Sequence, residues 1–285
     1  MYNCQVAFDN IPKVNCYSLT DFHTFDYCPF RFYVAHHLDK KYEMEEGNYN
    51  MALGTLLDGA IKKFHQAKAY GQPASYLINI LRASLNEIKD TAAKSAGKPS
   101  YYSAVLKFID EDMVQKANDI FIKYYQGRGE RINRSLGEVR FSQFVFNMPQ
   151  GQYKIWGWPD TYEMGDDGVP EIIDYKYRED PERGKQNMDM DLMPKVYALL
   201  SSDFLRNNGY EKARFRVRFW TDPEEDSFYE DFDLESLSGI DFLFKQKIEQ
   251  IINNKEVRFC EKPFCSACNS PKREEYLREV QKLFA

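Results

Sequence analysis

Two short stretches, "GWPD" (157–160) and "EIIDYK" (171–176), place carboxylates and a lysine where they can meet. If "GDDGV" (165–169) turns in five residues, Met164 pairs with Pro170 and Asp160 faces Asp174 across a hairpin. Directly opposite residues share a face, with Cβ atoms ~5 Å apart. Lys176, two residues beyond Asp174, then shares that face, whereas Glu171, Tyr175 and Tyr177 point the other way. A four-residue loop would put Ile173 opposite Asp160 and break the set. Two carboxylates this close repel unless a cation neutralises them. Their hard oxygens suit Mg²⁺ or Mn²⁺. Such a cation activates water and stabilises charge on a scissile phosphate. The lysine orients that water or steadies the phosphorane.

A second group is built of sulfur. Cys260, Cys265 and Cys268 form C-x₄-C-x₂-C, and a C-x-x-C turn is a common metal-binding unit. All-thiolate ligation suits a [4Fe–4S] cluster or Zn²⁺. Cys4 and Cys16 are expected to be ordinary thiols.

The formal net charge of −6 says little against a polyanionic partner, because local fields outweigh the sum. Basic residues gather in "RGERINR" (128–134) and "KARFRVRF" (212–219). Lys212, Arg214, Arg216 and Arg218 recur at period two and so share one face of a strand. That face is either a solvated sheet edge or a stripe that contacts phosphates.

These groups need elements to position them. Hydrophobic residues make up 43% and charged residues 29% of the chain, enough for a real core. The first half reads helical. Ser18 or Thr20 caps a helix through "LTDFHTFDYCPFRFYVAHHL". Leu53, Leu56, Leu57, Ile61 and Phe64 follow a helical period, and two more helical stretches run to about residue 126. The character changes near Leu136. "GEVRFSQFVFNMP", "GQYKIWGWPDTYEM" and "VPEIIDYKYR" read as three consecutive strands with "NMPQGQ" and "GDDG" as turns. A helix around 190–208 follows, with Pro194 in its first turn. Strands at 213–220 and 225–232 and a helix from about 234 to 254 complete the core. This predicts an α/β (α+β) architecture in a single domain over 1–285: a helical region at 18–135, a sheet core at 136–233, and a helix with a cysteine-rich tail at 234–285. No stretch reaches the ~20 apolar residues of a membrane span. The first residues lack a charged start followed by an apolar run, so no signal peptide is expected, and the cytoplasm is the expected location.

Taken together, "GWPD…EIIDYK" resembles the PD-(D/E)XK signature of RecB-type nucleases. Further blocks follow in the order of that family: "CPFRFYVAHH", "LGTLLDGAIKKFH", "MPKVYALL" and the C-terminal cysteines. The last are similar to the iron–sulfur anchor of CRISPR-associated RecB-like nucleases and of the AddB nuclease domain. The resemblance spans about residues 18 to 270. It implies a restriction-endonuclease-like core, a mixed central sheet flanked by helices. By the same resemblance Asp160 and Asp174 are metal ligands, Lys176 is the catalytic lysine, and Tyr197 matches the family tyrosine. Asp58 stands where the family has a histidine ligand; His65 is an alternative. Met193 stands where the family has glutamine. Glu138, on the first strand, is expected either to pair with a neighbouring arginine or to approach the metal. The family pattern nominates Cys28 as fourth ligand to Cys260, Cys265 and Cys268 and favours [4Fe–4S] over Zn²⁺. The family places its last cysteine downstream of the C-x-x-C, whereas here Cys260 precedes it.

The expected function is a Mg²⁺- or Mn²⁺-dependent DNA exonuclease acting on single-stranded ends, in repair, recombination or CRISPR adaptation. A helicase or CRISPR integrase is a possible partner, since the chain carries no G-x-x-x-x-G-K-[ST] motif. The alternatives are a DNA-binding module with a degenerate nuclease core and a zinc-stabilised interaction protein.

Overall fold

The computed structural model describes residues 11–44, 47–69, 71–95, 98–128, 136, 142–178, 192–221, 228–254 and 256–284. In chain order the elements are β1 (Cys16–Tyr17), α1 (Leu19–Tyr27), α2 (Pro29–Phe32), a π-helical turn (Tyr33–His37), α3 (Lys41–Met44), α4 (Tyr49–Gln66), α5 (Ala74–Lys94), α6 (Tyr101–Leu106) and α7 (Glu111–Arg128). Then come β2 (Ser142–Met148), β3 (Gly151–Gly157), β4 (Thr161–Met164), β5 (Pro170–Lys176), α8 (Met193–Asn207), β6 (Lys212–Phe219) and β7 (Phe228–Asp233). A 3₁₀ turn (Leu234–Leu237), α9 (Ser238–Asn253) and α10 (Arg273–Gln281) close the chain. Helices and mixed sheets together give the α/β class and the restriction-endonuclease-like core expected from the sequence. Glu138, Cys4 and nearly all of "RGERINR" lie outside the described residues.

The chain forms two compact units, each assembled from separate stretches. The first comprises Gly47–Ser142 and Trp158–Leu237. Its sheet has the order β4-β5-β6-β7, with β5 and β6 parallel and the outer pairs antiparallel. β5 is buried along almost its whole length, as a strand covered on both faces must be. On one face Ile173 and Tyr175 join a core of Leu53, Leu57, Phe64, Phe121 and Trp220 drawn from α4, α7 and the end of β6. On the other face α8 lies against the sheet, and the Tyr197 ring stacks on Phe215. α4 begins at Asn48, whose side chain accepts the Met51 N–H at 2.9 Å. Its apolar residues recur every three or four positions and form one buried stripe. Gly59 allows α5 to approach: a β-carbon there would collide with Ser84 Oγ, which donates to the Leu56 carbonyl at 3.2 Å.

The second unit comprises Tyr2–Glu46, Gln143–Gly157 and Ser238–Ala285. Its sheet has the order β1-β3-β2, with β1 parallel to β3. The N-terminal helical stretch is broken where a continuous helix is expected. α1 starts with a capping box between Ser18 and Asp21. It ends at Cys28, which is extended (φ −161°, ψ 104°). The cause is Pro29, whose ring disfavours helical backbone in the residue before it. Cys28 thereby becomes the N-cap of α2, and its sulfur accepts the Arg31 N–H at 3.4 Å.

The structure corrects two other expectations. "GQYKIWGWPDTYEM" is two strands, β3 and β4, and they belong to different sheets. Pro159 lacks the N–H a continuous ladder needs, and the chain leaves one sheet there. The period-two arginines do share a face, but β6 lies between β5 and β7. Arg216 and Arg218 are buried. Arg216 Nη2 lies 2.7 Å from Glu171 Oε1, and Arg218 bridges Glu163 at 2.6 Å and Glu171 at 2.9 Å. Arg214 pairs with Asp231 at 2.6 Å and Asp167 at 3.0 Å. Glu163 and Glu171 face each other across β4 and β5, and two buried like charges require cations between them. Arg214, Arg216 and Arg218 therefore hold carboxylates rather than forming a DNA-binding stripe.

Candidate active site and cysteine centre

The hairpin register decides the acidic site. Thr161 pairs with Ile173, Tyr162 with Ile172, Glu163 with Glu171 and Met164 with Pro170, so five residues form the turn. Gly165 N donates to Val169 O at 2.9 Å, and Gly168 takes φ +78°, a conformation suited to glycine. Asp160 lies one residue beyond the last ladder pair. Its own N–H donates to Ile173 O at 3.0 Å, and its Oδ2 accepts the Tyr175 N–H at 2.8 Å. The carboxylate thus takes the place of the next ladder carbonyl and is fixed by the strand itself.

Asp174 is buried on β5, on the face opposite Glu171 and Tyr175. Tyr197 Oη donates to Asp174 Oδ1 at 2.8 Å, and Lys176 Nζ lies 2.6 Å from Oδ2. Pro194 occupies the first turn of α8, where a missing N–H costs nothing, and Tyr197 follows one turn later. Met193, at the position of the family glutamine, is buried at the start of this helix.

Asp58 comes from α4, and its Oδ1 is buried without a hydrogen-bond partner. Burial raises its pKa well above the usual carboxylate range, and the Asp160 charge adds to this. Burial also raises Asp160, against the pull of Lys62. Burial opposes the charge of Lys176, yet Asp174 and Asp160 raise its pKa. Tyr197 is pushed well up by burial and then by Asp174, so it remains a phenol donor.

Lys62 is the residue the sequence reading missed. Its Nζ lies 3.6 Å from Asp160 Oδ1, one turn along α4 from Asp58. Burial opposes its charge, but Asp160 and Asp58 raise its pKa. The i, i+4 spacing from Asp58 was a usable signal, because such residues share a helix face. With all three aspartates ionised, the two lysines leave this cluster one negative charge in excess, and burial together with that excess raises the pKa of Asp58 and Asp160. His65, the alternative ligand, is buried with its ring edge-to-face on Phe64.

In the second unit Cys28 joins Cys260, Cys265 and Cys268, with all four sulfurs within 4.8 Å of one another. Cys28 Sγ lies 3.6 Å and Cys260 Sγ 3.8 Å from Cys268 Sγ. Two strands of chain are tied together beside them: Phe30 N donates to Arg258 O at 3.3 Å, and Phe30 meets Phe259 edge-on. Asn269 Nδ2 donates to the carbonyls of Lys262, Pro263 and Cys265, which fixes the turn carrying Cys265 and Cys268. Burial pushes the Cys28 thiol up to about 11 and raises Cys268 as well. Cys16 is separate, with its sulfur donating to Pro12 O at 3.4 Å.

The sequence matches the PD-(D/E)XK nuclease superfamily over residues 17–273. The chain belongs to that superfamily. Six solved chains also match. One, described as the crystal structure of SSO0001, is 14% identical, with 84% of this chain and 78% of that chain covered and a TM-score of 0.32. No curated protein matches.

A PD-(D/E)XK nuclease typically uses a divalent metal, and the residues present fit one. Asp58, Asp160 and Asp174 offer hard oxygens, and the partnerless Asp58 Oδ1 is a buried acceptor with a ligand still to gain. The four cysteines offer a soft, all-sulfur set in the other unit. Among the described residues no helix is long and apolar enough to cross a membrane.

Proposed function

We propose that this nuclease is a RecB-like, Mg²⁺- or Mn²⁺-dependent DNA exonuclease that hydrolyses phosphodiester bonds at single-stranded ends. The observation that carries the reading is that Asp160 and Asp174 each lie one residue beyond the last ladder pair of one hairpin, Thr161 with Ile173, with Lys176 against Asp174. Asp58, Asp160 and Asp174 would hold the cation, which when bound supplies Lewis-acid stabilisation of phosphate charge and an activated water. Asp160 is held by the Tyr175 N–H and Asp174 by Tyr197, so neither carboxylate has to reorganise on binding. Lys176 is placed to orient the attacking water or to meet charge developing on the phosphate. The cysteine centre has a structural role: it joins Cys28, near one end of the chain, to the C-terminal segment. DNA repair, recombination or CRISPR adaptation, with a helicase or integrase as partner, are the settings such an activity serves.

The test is digestion of end-labelled single-stranded DNA with Mg²⁺ or Mn²⁺. Stepwise shortening that needs the metal and disappears in Asp174→Ala supports the proposal. Absence of metal-dependent cleavage, or full activity in the variant, refutes it. Internal cuts in a circular single strand would replace the exonuclease assignment with an endonuclease one.

A further inference from the structure

We propose that Cys28, Cys260, Cys265 and Cys268 hold one tetrahedrally coordinated zinc ion rather than a [4Fe–4S] cluster. The argument begins with the spacing of the sulfurs. Four thiolates at ~2.3 Å from one ion, on tetrahedral corners, lie about 3.8 Å apart. Cys28 and Cys260 stand 3.6 and 3.8 Å from Cys268, and no pair among the four exceeds 4.8 Å. These separations are far too long for a disulfide, whose sulfurs are ~2.05 Å apart. They are also too short for a cubane. There each thiolate binds a different iron at a different corner, and the space between the four must contain four irons and four sulfides. The cysteines therefore do not fit the cluster that the family resemblance implies.

The chain order agrees. The family pattern that the sequence resembles places its last cysteine after the C-x-x-C, but here the third C-terminal ligand, Cys260, comes before it. The four residues between Cys260 and Cys265 form a tight turn: Cys265 N donates to Lys262 O at 3.1 Å, and Glu261 takes φ 52°. This turn brings Cys260 back onto the Cys265–Cys268 pair. Cys28 enters from the broken end of α1, where Pro29 fixes the extended backbone and the Arg31 N–H contacts its sulfur. Backbone N–H groups of this kind partly neutralise thiolate charge on a single ion. Zinc has no redox chemistry and takes a closed S₄ set readily, as suits a structural site with Cys28, Cys265 and Cys268 buried and Cys260 half-buried.

The test is metal and sulfide analysis of the full chain, expressed with iron and zinc both supplied and isolated without oxygen. The expected result is about one zinc per chain, no acid-labile sulfide, and no broad absorbance near ~400 nm. Exchange of zinc for Co²⁺ should then give the intense visible bands of tetrahedral thiolate cobalt, lost in Cys265→Ser. Four irons with four sulfides in a brown protein would overturn the proposal. So would one iron without sulfide, or a metal-free chain that takes up neither Zn²⁺ nor Co²⁺. None of these outcomes depends on cleavage of DNA, so the proposed nuclease activity can fail or hold independently.

Discussion

Tyr197 donates its phenol hydrogen to Asp174 Oδ1 at 2.8 Å while its ring lies flat on Phe215. The hydroxyl thus has a partner in the site and the ring has one in the core. Tyr197→Phe separates the two roles. The stack remains, so the melting temperature should fall by no more than the loss of one hydrogen bond to a charged group accounts for. A hydrogen bond to a charged group contributes about 1.5–3 kcal/mol, so cleavage should slow by about ten- to a hundred-fold. Single-turnover cleavage beside a thermal melt measures both. A large loss of melting temperature with unchanged cleavage would assign the hydroxyl to the fold alone.

Lys62 neutralises Asp160 from the neighbouring helix. Lys62→Met leaves three carboxylates facing Lys176 alone. Without metal the variant should melt at a lower temperature than the parent. On adding Mn²⁺ its melting temperature should rise by more, because the cation replaces the lost charge. Differential scanning fluorimetry with and without Mn²⁺ reads this directly. Equal Mn²⁺-induced shifts in the two proteins would show that Lys62 and the cation do not share a site.

Arg218 bridges two buried carboxylates on different strands, Glu163 and Glu171. Arg218→Met removes the Glu163–Arg218 pair while Glu171 keeps Arg216, and breaking a buried pair costs about 3–5 kcal/mol. Urea unfolding should show a loss of that size. Arg218→Lys should recover only part of it, because an ammonium cannot span both partners as the guanidinium fork does. A stability change near zero would contradict the buried network.

His37 packs against the rings of Phe32 and Tyr33, and its Nε2 is buried without a hydrogen-bond partner. Burial, helped by His36, lowers its pKa from 6.5 to about 4. The unfolded chain then takes up a proton near pH 6.5, and the folded chain does so only near pH 4. Stability from this group is full above pH 6.5, falls as pH drops towards 4, and levels off below. His37→Phe removes the titrating ring and should flatten that part of the profile. Melting curves of parent and variant across the window test it; parallel profiles would exclude His37 as the source.

Much of the acidic site was legible before folding was considered. Asp160, Asp174 and Lys176 follow from a two-residue side-chain period and a five-residue turn, both local properties, and "GDDGV" carries glycines where its turn needs them. The break before Pro29 and the change of sheet at Pro159 were also written locally, since proline acts on its immediate neighbours. The period of the arginines in β6 was equally plain, but not what that face meets. Whether a charged stripe faces water or a second set of charges depends on Glu163 and Glu171, 55 and 47 residues away from Arg218 in the chain.

By itself, then, the sequence determined most of the elements, the hairpin whose five-residue turn would bring the acids together, and the set of residues able to bind metal, because backbone sterics and side-chain alternation act over a few residues. Only the tertiary structure decided which charges are buried together and how far apart the cysteine sulfurs stand. Cys28 and Cys268 are 240 positions apart. No local rule fixes a distance across such a loop, and that distance distinguishes a single zinc ion from a cluster.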